Sequence, residues 1–198
     1  MCHFSNLSSA LIQVKESKHF NLPPVTVVFN SDIPTSGSGL ATSSSYTIAF
    51  ISAVGELLNL NLSQFDICKL ALEIEHRFNP LTGYQDTYGC GLGGLKRLHF
   101  YRDIVKSNGL ESITLNKFNM YLVNSNIVRE SNDVLSSINL EKSKDLIELV
   151  DDLERKIHNK DMGGICDVLN DGWEKKKKTS SLISNPKINE FDRRFLLD

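Results

Sequence analysis

Residues 32–46 read D-I-P-T-S-G-S-G-L-A-T-S-S-S-Y, dense in glycine and hydroxyl side chains, and three acids, Glu73, Glu75 and Asp86, follow further along the chain. A β-type run, Val25-Thr26-Val27-Val28-Phe29, leads into this stretch and an apolar helical pattern over residues 46–60 leads out. Strand, glycine-rich loop and helix in that order build an anion site. Glycines let backbone N–H groups approach a phosphate closely, and the helix adds unpaired N–H groups and the positive end of its dipole. A simpler reading is a flexible loop in which Thr42 or Ser43 caps the helix. No Gly-Lys-Ser/Thr closes the loop, so it is not a Walker P-loop. Glu75 and Asp86 stand roughly three helical turns apart in sequence, but Pro80 and Gly83 break that path and allow the chain to fold both acids towards a common cleft.

A second glycine-rich stretch, Gly83-Tyr84-Gln85-Asp86-Thr87-Tyr88-Gly89 through Gly93-Gly94, follows the loop. A phosphate loop followed by G-x-Q-D and a di-glycine resembles the GHMP small-molecule kinase superfamily, whose second motif is P-x-x-x-G-L-G-S-S. Pro34, Gly39, Leu40, Thr42 and Ser43 fill that motif here; Ala41 replaces its middle glycine, and one extra residue lies between Pro34 and Gly39. Within the superfamily the chain is most similar to the D-glycero-D-manno-heptose 7-phosphate kinase group. The likeness rests on S-D-I-P, the triple Ser43-Ser44-Ser45, G-x-Q-D-x-Y, W-x-K-K at Trp173, Asn124-Ser125-Asn126-Ile127-Val128-Arg129 and Ile183-Ser184-Asn185-Pro186-Lys187-Ile188-Asn189.

The resemblance implies ATP and Mg²⁺ as cofactors and a sugar phosphate as substrate. Phosphoryl transfer needs a held polyphosphate, a metal bridging its oxygens and an acceptor hydroxyl aimed in line. Magnesium keeps several waters, so one hydroxyl and one carboxylate suffice from the protein. By motif position Ser43 is the hydroxyl ligand and Glu75 the carboxylate, with Glu73 as second candidate. On the same resemblance Asp86 matches the family's catalytic aspartate, expected to accept or orient the sugar hydroxyl proton. Ser36, Gly37, Ser38, Gly39, Leu40, Ala41, Thr42, Ser43 and Ser44 cradle the nucleotide, and Gln85 and Arg129 contact substrate, Arg129 through a guanidinium suited to a phosphate. For each acid the plainer alternative is a solvated helix end, and for Arg129 a surface position at a helix start.

Family members carry an R-[IV]-x-x-x-G-G-G-T-D-type segment and a late G-A-G-G-G-G loop, and this sequence has neither. The expectation is therefore a chain truncated at both ends relative to the family. Two functions follow: an ATP-dependent sugar kinase acting on heptose 7-phosphate at its anomeric hydroxyl, or an inactive nucleotide-binding remnant or one part of a split kinase. Exposed apolar edges of an incomplete domain favour association with a second copy or a complementing chain.

The elements that must position these residues are legible in outline. Ile48, Ile51, Ala53, Val54, Leu57 and Leu58 give the helix after the loop a broad apolar face. Ser63-x-x-Asp66 reads as a capping box opening a second helix through Ile67, Leu70, Ala71 and Ile74. Residues 8–18 suggest a helix before the Pro23-Pro24 break. Residues 95–101 and 118–123 read as strands, with Lys106-Ser107-Asn108-Gly109 as a turn. Helical spacing recurs over 132–138, 143–158, 162–176 and 187–196. The expected architecture is α+β and GHMP-kinase-like. Residues 1–105 form a ribosomal protein S5 domain 2-like N-terminal part with a βαβ core, and 106–198 a helix-rich, partial ferredoxin-like C-terminal part.

Composition suits an ordinary globular protein, with 40% hydrophobic and 23% charged residues. A net charge of −2 gives no electrostatic footprint for nucleic acid or an acidic membrane, so neither is expected as a partner. The lysines at 175–178 suit a helix C-terminus, and Trp173 suits a packed anchor. Cys2, Cys68, Cys90 and Cys166 are scattered, with no C-x-x-C pair; His3 and His19 have no partners at ligand spacing. No secretory signal or spanning segment is in view, so reduced thiols and a cytoplasmic location are expected.

Overall fold

A computed structural model describes residues 26–30, 39–102, 104–110, 119, 121, 123, 125, 127 and 131–195. The chain divides into two compact units, Met1–Gly93 and Gly94–Asp198.

Three helices make up the described part of the first unit: α1 (Thr42–Leu57), α2 (Gln64–Phe78) and α3 (Tyr84–Gly91). Helix α1 starts four residues earlier than its apolar pattern suggests, directly after Ala41, which adopts a left-handed conformation (φ 51°, ψ 36°) and makes no side-chain cap. The capping reading for Thr42 or Ser43 is therefore replaced by a backbone device. Asn59 and Asn61, both at positive φ, turn the chain into α2, and Asn is the residue type that tolerates that region best after glycine. The capping box of α2 is present in full: Ser63 Oγ accepts from Asp66 N–H at 3.1 Å and Asp66 Oδ2 accepts from Ser63 N–H at 3.0 Å.

Phe50, Ile51 and Val54 of α1 pack with Ala71 and Ile74 of α2, joined by Phe29, Ile48, Leu58, Leu62, Ile67 and Leu70. Burial at about 25 cal/mol per Å² makes this cluster the main adhesive among the described residues of the unit. Phe29 meets Tyr46 edge-on, with ring centroids 5.6 Å apart, so residues 26–30 are anchored through it. Those residues join no sheet, which corrects the strand expected over 25–29: a strand needs a partner to satisfy its backbone, and the first unit offers none among the described residues. The βαβ core is likewise absent among the described residues, whose single sheet lies in the second unit. The helix expected over 8–18 lies outside the described residues.

The second unit opens with an antiparallel hairpin, β1 (Lys96–Tyr101) and β2 (Ile104–Gly109). Its register runs from Lys96 opposite Gly109 to Tyr101 opposite Ile104. The turn falls after Tyr101, where Arg102 has φ 49°, so the turn expected at 106–109 is instead a strand. Two-residue hairpin loops require positive φ, and once Tyr101 pairs with Ile104 the alternation commits Lys106 through Gly109 to the ladder. Of the strand expected over 118–123, the described Asn119, Tyr121 and Val123 have no regular structure.

Helices α4 (Ser131–Ser137), α5 (Leu140–His158), α6 (Met162–Thr179) and α7 (Pro186–Phe195) follow close to the positions their spacing predicts. Arg97 of β1 bridges Asp151 at 2.6 Å and Glu154 at 2.5 Å on α5. The tight turn into α6 uses Lys160 at φ 56°, with Asp161 accepting from Gly164 N–H at 2.9 Å and from Lys156 at 2.8 Å. Trp173 donates its indole N–H to Asp192 of α7 at 2.7 Å, with Lys177 over its ring, as expected of a packed anchor. No described helix is long and apolar enough to cross a membrane.

Candidate active site

Each described helix of the first unit sets a polar side chain into its buried stripe: Ser44 and Thr47 on α1, Glu75 on α2 and Thr87 on α3. On α2 the buried positions Cys68, Ala71, Leu72 and Glu75 follow helical spacing, so Glu75 occupies a position that would ordinarily hold an aliphatic residue. It is 8% exposed. On α1 the buried stripe begins at Ser44, and on α3 Thr87 sits inside beside Tyr88. A buried carboxylate without partners is expensive, and these neighbours supply them.

Three hydroxyls converge on Glu75. Ser44 donates to Oε1 at 2.7 Å, Ser43 donates to the same oxygen at 3.2 Å, and Thr87 donates to Oε2 at 3.1 Å. Ser44 and Thr87 are buried, at 1% and 0% exposure, whereas Ser43 is exposed. Among the described residues no lysine, arginine or histidine pairs with Glu75. These hydroxyls and the neighbouring helix dipoles make up its polar surroundings. Ser43 and Ser44 lie in the first turn of α1 and Thr87 follows the first turn of α3, so two positive helix ends face the carboxylate, against the negative end of α2. No acidic side chain occupies the first turn of α1.

The residues singled out in the sequence fall into three groups. Gly39 (φ 72°), Leu40, Ala41, Thr42, Ser43 and Ser44 form the described end of the loop and the start of α1. Ser36, Gly37, Ser38 and Arg129 lie outside the described residues. Asp86 and Gln85 are exposed in the first turn of α3, while the adjacent Thr87, not Asp86, reaches Glu75. Glu73 is exposed, so of the two candidate glutamates only Glu75 enters the cluster.

Thr87 is the member that sequence reasoning passed over. Its signal was its place one residue after Asp86, at helical spacing from Tyr84 and Gly91 on the face that α3 buries. The chain between α2 and α3 is held by His76 Nε2, hydrogen-bonded to the Thr82 carbonyl at 2.8 Å, with the His76 ring edge-on to Tyr84. Burial, and then the neighbouring Cys68, Tyr84 and Glu73, raise the Tyr88 phenol above its ordinary pKa.

The donor set of carboxylate and hydroxyls is hard and all-oxygen, the kind that magnesium accepts. Two oxygens at right angles about a magnesium with bonds near 2.0–2.1 Å stand about 2.9 Å apart, and Ser43 Oγ and Glu75 Oε1 are 3.2 Å apart. The residues present thus fit the ion. Among the described residues no group of three His, Cys, Asp or Glu side chains offers another metal site.

A separate hollow of about 430 Å³ lies between residues 27–30 and the face of α1 that carries Thr42, Ser45, Tyr46, Ala49, Phe50 and Ala53. It includes neither Ser43 nor Asp86, so it does not join the two.

Comparison with known proteins adds an independent line. Residues 6–94 match the family described as GHMP kinases N terminal domain. D-glycero-alpha-D-manno-heptose 7-phosphate kinase of Campylobacter jejuni is 31% identical over 193 residues, covering 86% of this chain and 55% of that protein. A galactokinase of Thermosipho africanus is 23% identical over 180 residues, covering 90% of this chain and 50% of that protein. The crystal structure of a putative sugar kinase from Campylobacter jejuni superposes with a TM-score of 0.59 at 28% identity, covering 82% of this chain and 49% of that one. The chain thus spans about half the length of the curated relatives it matches.

Proposed function

We propose that this chain, whose residues 6–94 match the GHMP kinases N terminal domain, serves the ATP-dependent phosphorylation of a sugar phosphate, D-glycero-D-manno-heptose 7-phosphate at its anomeric hydroxyl. The observation that carries the reading is the Ser43–Glu75 pair, set where the glycine-rich loop becomes α1, with Thr87 tying the same carboxylate to the helix that bears Asp86. The finer family assignment is part of the proposal: an S5 domain 2-like N-terminal part and a partial ferredoxin-like C-terminal part, divided after Gly93 because the boundary expected at residue 105 falls inside the β1–β2 ladder.

The residues divide the work as follows. Backbone N–H groups of the loop from Ser36 to Ser44 and the N-terminal turn of α1 hold the nucleotide phosphates, through close approach and the helix dipole. Ser43 and Glu75 hold magnesium, which when bound neutralises charge on the phosphate oxygens. Asp86, exposed to the acceptor, takes or orients the proton of the sugar hydroxyl. Gln85 on the same turn and Arg129 position the sugar phosphate, Arg129 through paired N–H donors.

The test joins binding to turnover. MgATP at a hundredfold excess over its dissociation constant should stabilise the folded chain by about 2.7 kcal/mol, read as a raised melting temperature. Asp86→Asn should abolish phosphorylation of heptose 7-phosphate while keeping that thermal shift. No shift with MgATP, or undiminished turnover in Asp86→Asn, would overturn the assignment.

A further inference from the structure

Three hydroxyls touch Glu75, but they do so under different conditions. Ser44 and Thr87 are sealed from solvent and sit on opposite carboxylate oxygens, Oε1 and Oε2. Ser43 is exposed and holds Oε1 with the longest of the three bonds. A carboxylate gripped at only one oxygen can rotate about its last torsion, whose energy profile is broad. Gripped at both oxygens, it keeps one orientation. The two grips come from different helices, α1 and α3, so the orientation of the Glu75 carboxylate records how these helices pack on α2.

Resting on the reading of Glu75 as a metal-holding group, we infer that Thr87 is a positioning residue for the cation. By occupying Oε2 it turns Oε1 towards Ser43 and leaves one defined edge of the carboxylate for a divalent ion. Because Thr87 directly follows Asp86 on α3, the same hydrogen bond sets the place of that helix, and of its exposed Asp86, against the carboxylate. Replacing Thr87 by an isosteric apolar residue leaves Oε2 without its donor, frees the carboxylate to rotate and loosens the coupling between metal edge and acid. Loss of an outer partner that orients a metal-bound carboxylate typically weakens metal affinity 10–100-fold.

The experiment measures Mn²⁺ binding by electron paramagnetic resonance on the full chain, with and without ATP, for the parent, Thr87→Val, Thr87→Ser and Glu75→Gln. Thr87→Val should weaken Mn²⁺ about tenfold or more, whereas Thr87→Ser, which keeps the hydroxyl, should stay within about threefold. Should Thr87→Val fail to fold, Thr87→Cys, similar in volume and a weak donor, should show an intermediate loss. A lowered melting temperature in Thr87→Val or Thr87→Cys with unchanged Mn²⁺ affinity would make Thr87 a packing residue only and overturn the inference. Mn²⁺ binding that Glu75→Gln leaves intact would instead refute the metal reading of Glu75 itself, so the two failures are distinguishable.

Discussion

Ala41 holds a conformation that its side chain disfavours, which makes Ala41→Gly an informative substitution. At φ 51° and ψ 36° it sits in the left-handed region, as the N-terminal boundary of α1 and without any side-chain cap. The clash of Cβ with the following carbonyl costs an L-residue about 1–2 kcal/mol there. Glycine removes that strain but brings a larger loss of backbone freedom on folding, about 0.5–1 kcal/mol relative to alanine. The difference favours Ala41→Gly by about 0.5–1 kcal/mol. For a unit that spans Met1–Gly93 that is a rise of roughly 2–8 °C in its melting point. The single tryptophan, Trp173, belongs to the second unit, so its fluorescence does not read the effect; amide hydrogen exchange in α1, or circular dichroism against urea, does. Gly39→Ala is the matched control. Gly39 has φ 72° and its added Cβ would meet nothing within 4 Å, so the change should destabilise by about 0.5–1 kcal/mol through the backbone alone, the strain less the gain in backbone entropy. An Ala41→Gly chain whose α1 amides exchange faster, as for a glycine placed in an ordinary helix, would refute the left-handed entry to α1.

Two further perturbations test other parts of the fold. A methyl group at Gly91 would strike the sulfur of the buried Cys68 and press Cδ1 of Ile48 at 3.3 Å; Gly91→Ala should lower stability by about 1–3 kcal/mol, with part regained in the double variant carrying Cys68→Ala, measured as a urea cycle. In the turn before α6, the Lys156 ammonium and then the Gly164 N–H hold the Asp161 carboxyl below its ordinary value of 3.8. A lowered folded pKa means that the stabilisation is present above the unfolded pKa and is lost as pH falls through the folded one. Asp161→Asn, which can still cap α6, should therefore flatten the acid limb of the second unit's stability curve below about pH 4, read by Trp173 fluorescence.

Local chemistry was enough to read several elements from the amino-acid order alone. The capping pair Ser63 and Asp66 marks the start of α2 because both partners lie within one turn. The apolar spacing of α5 and α6 marks two helices because burial of one face repeats every three to four residues. The loop-to-helix stretch around Ser43 and the G-x-Q-D turn were equally legible, being short contiguous patterns. What lay beyond such reading depended on partners remote in sequence. Residues 106–109 carry turn-type residues yet form β2, because pairing of Tyr101 with Ile104 sets the register for all that follows. Residues 26–30 have β-forming side chains yet join no sheet, because a strand exists only against another strand. Glu75 illustrates the division most clearly. Its residue type and motif position were visible from the start, but its burial and its grip by Ser44 and Thr87 arise only when three helices meet. Tertiary packing makes this candidate metal carboxylate an oriented, hydroxyl-bound one, because removal from water forces each of its oxygens to find a donor within the protein.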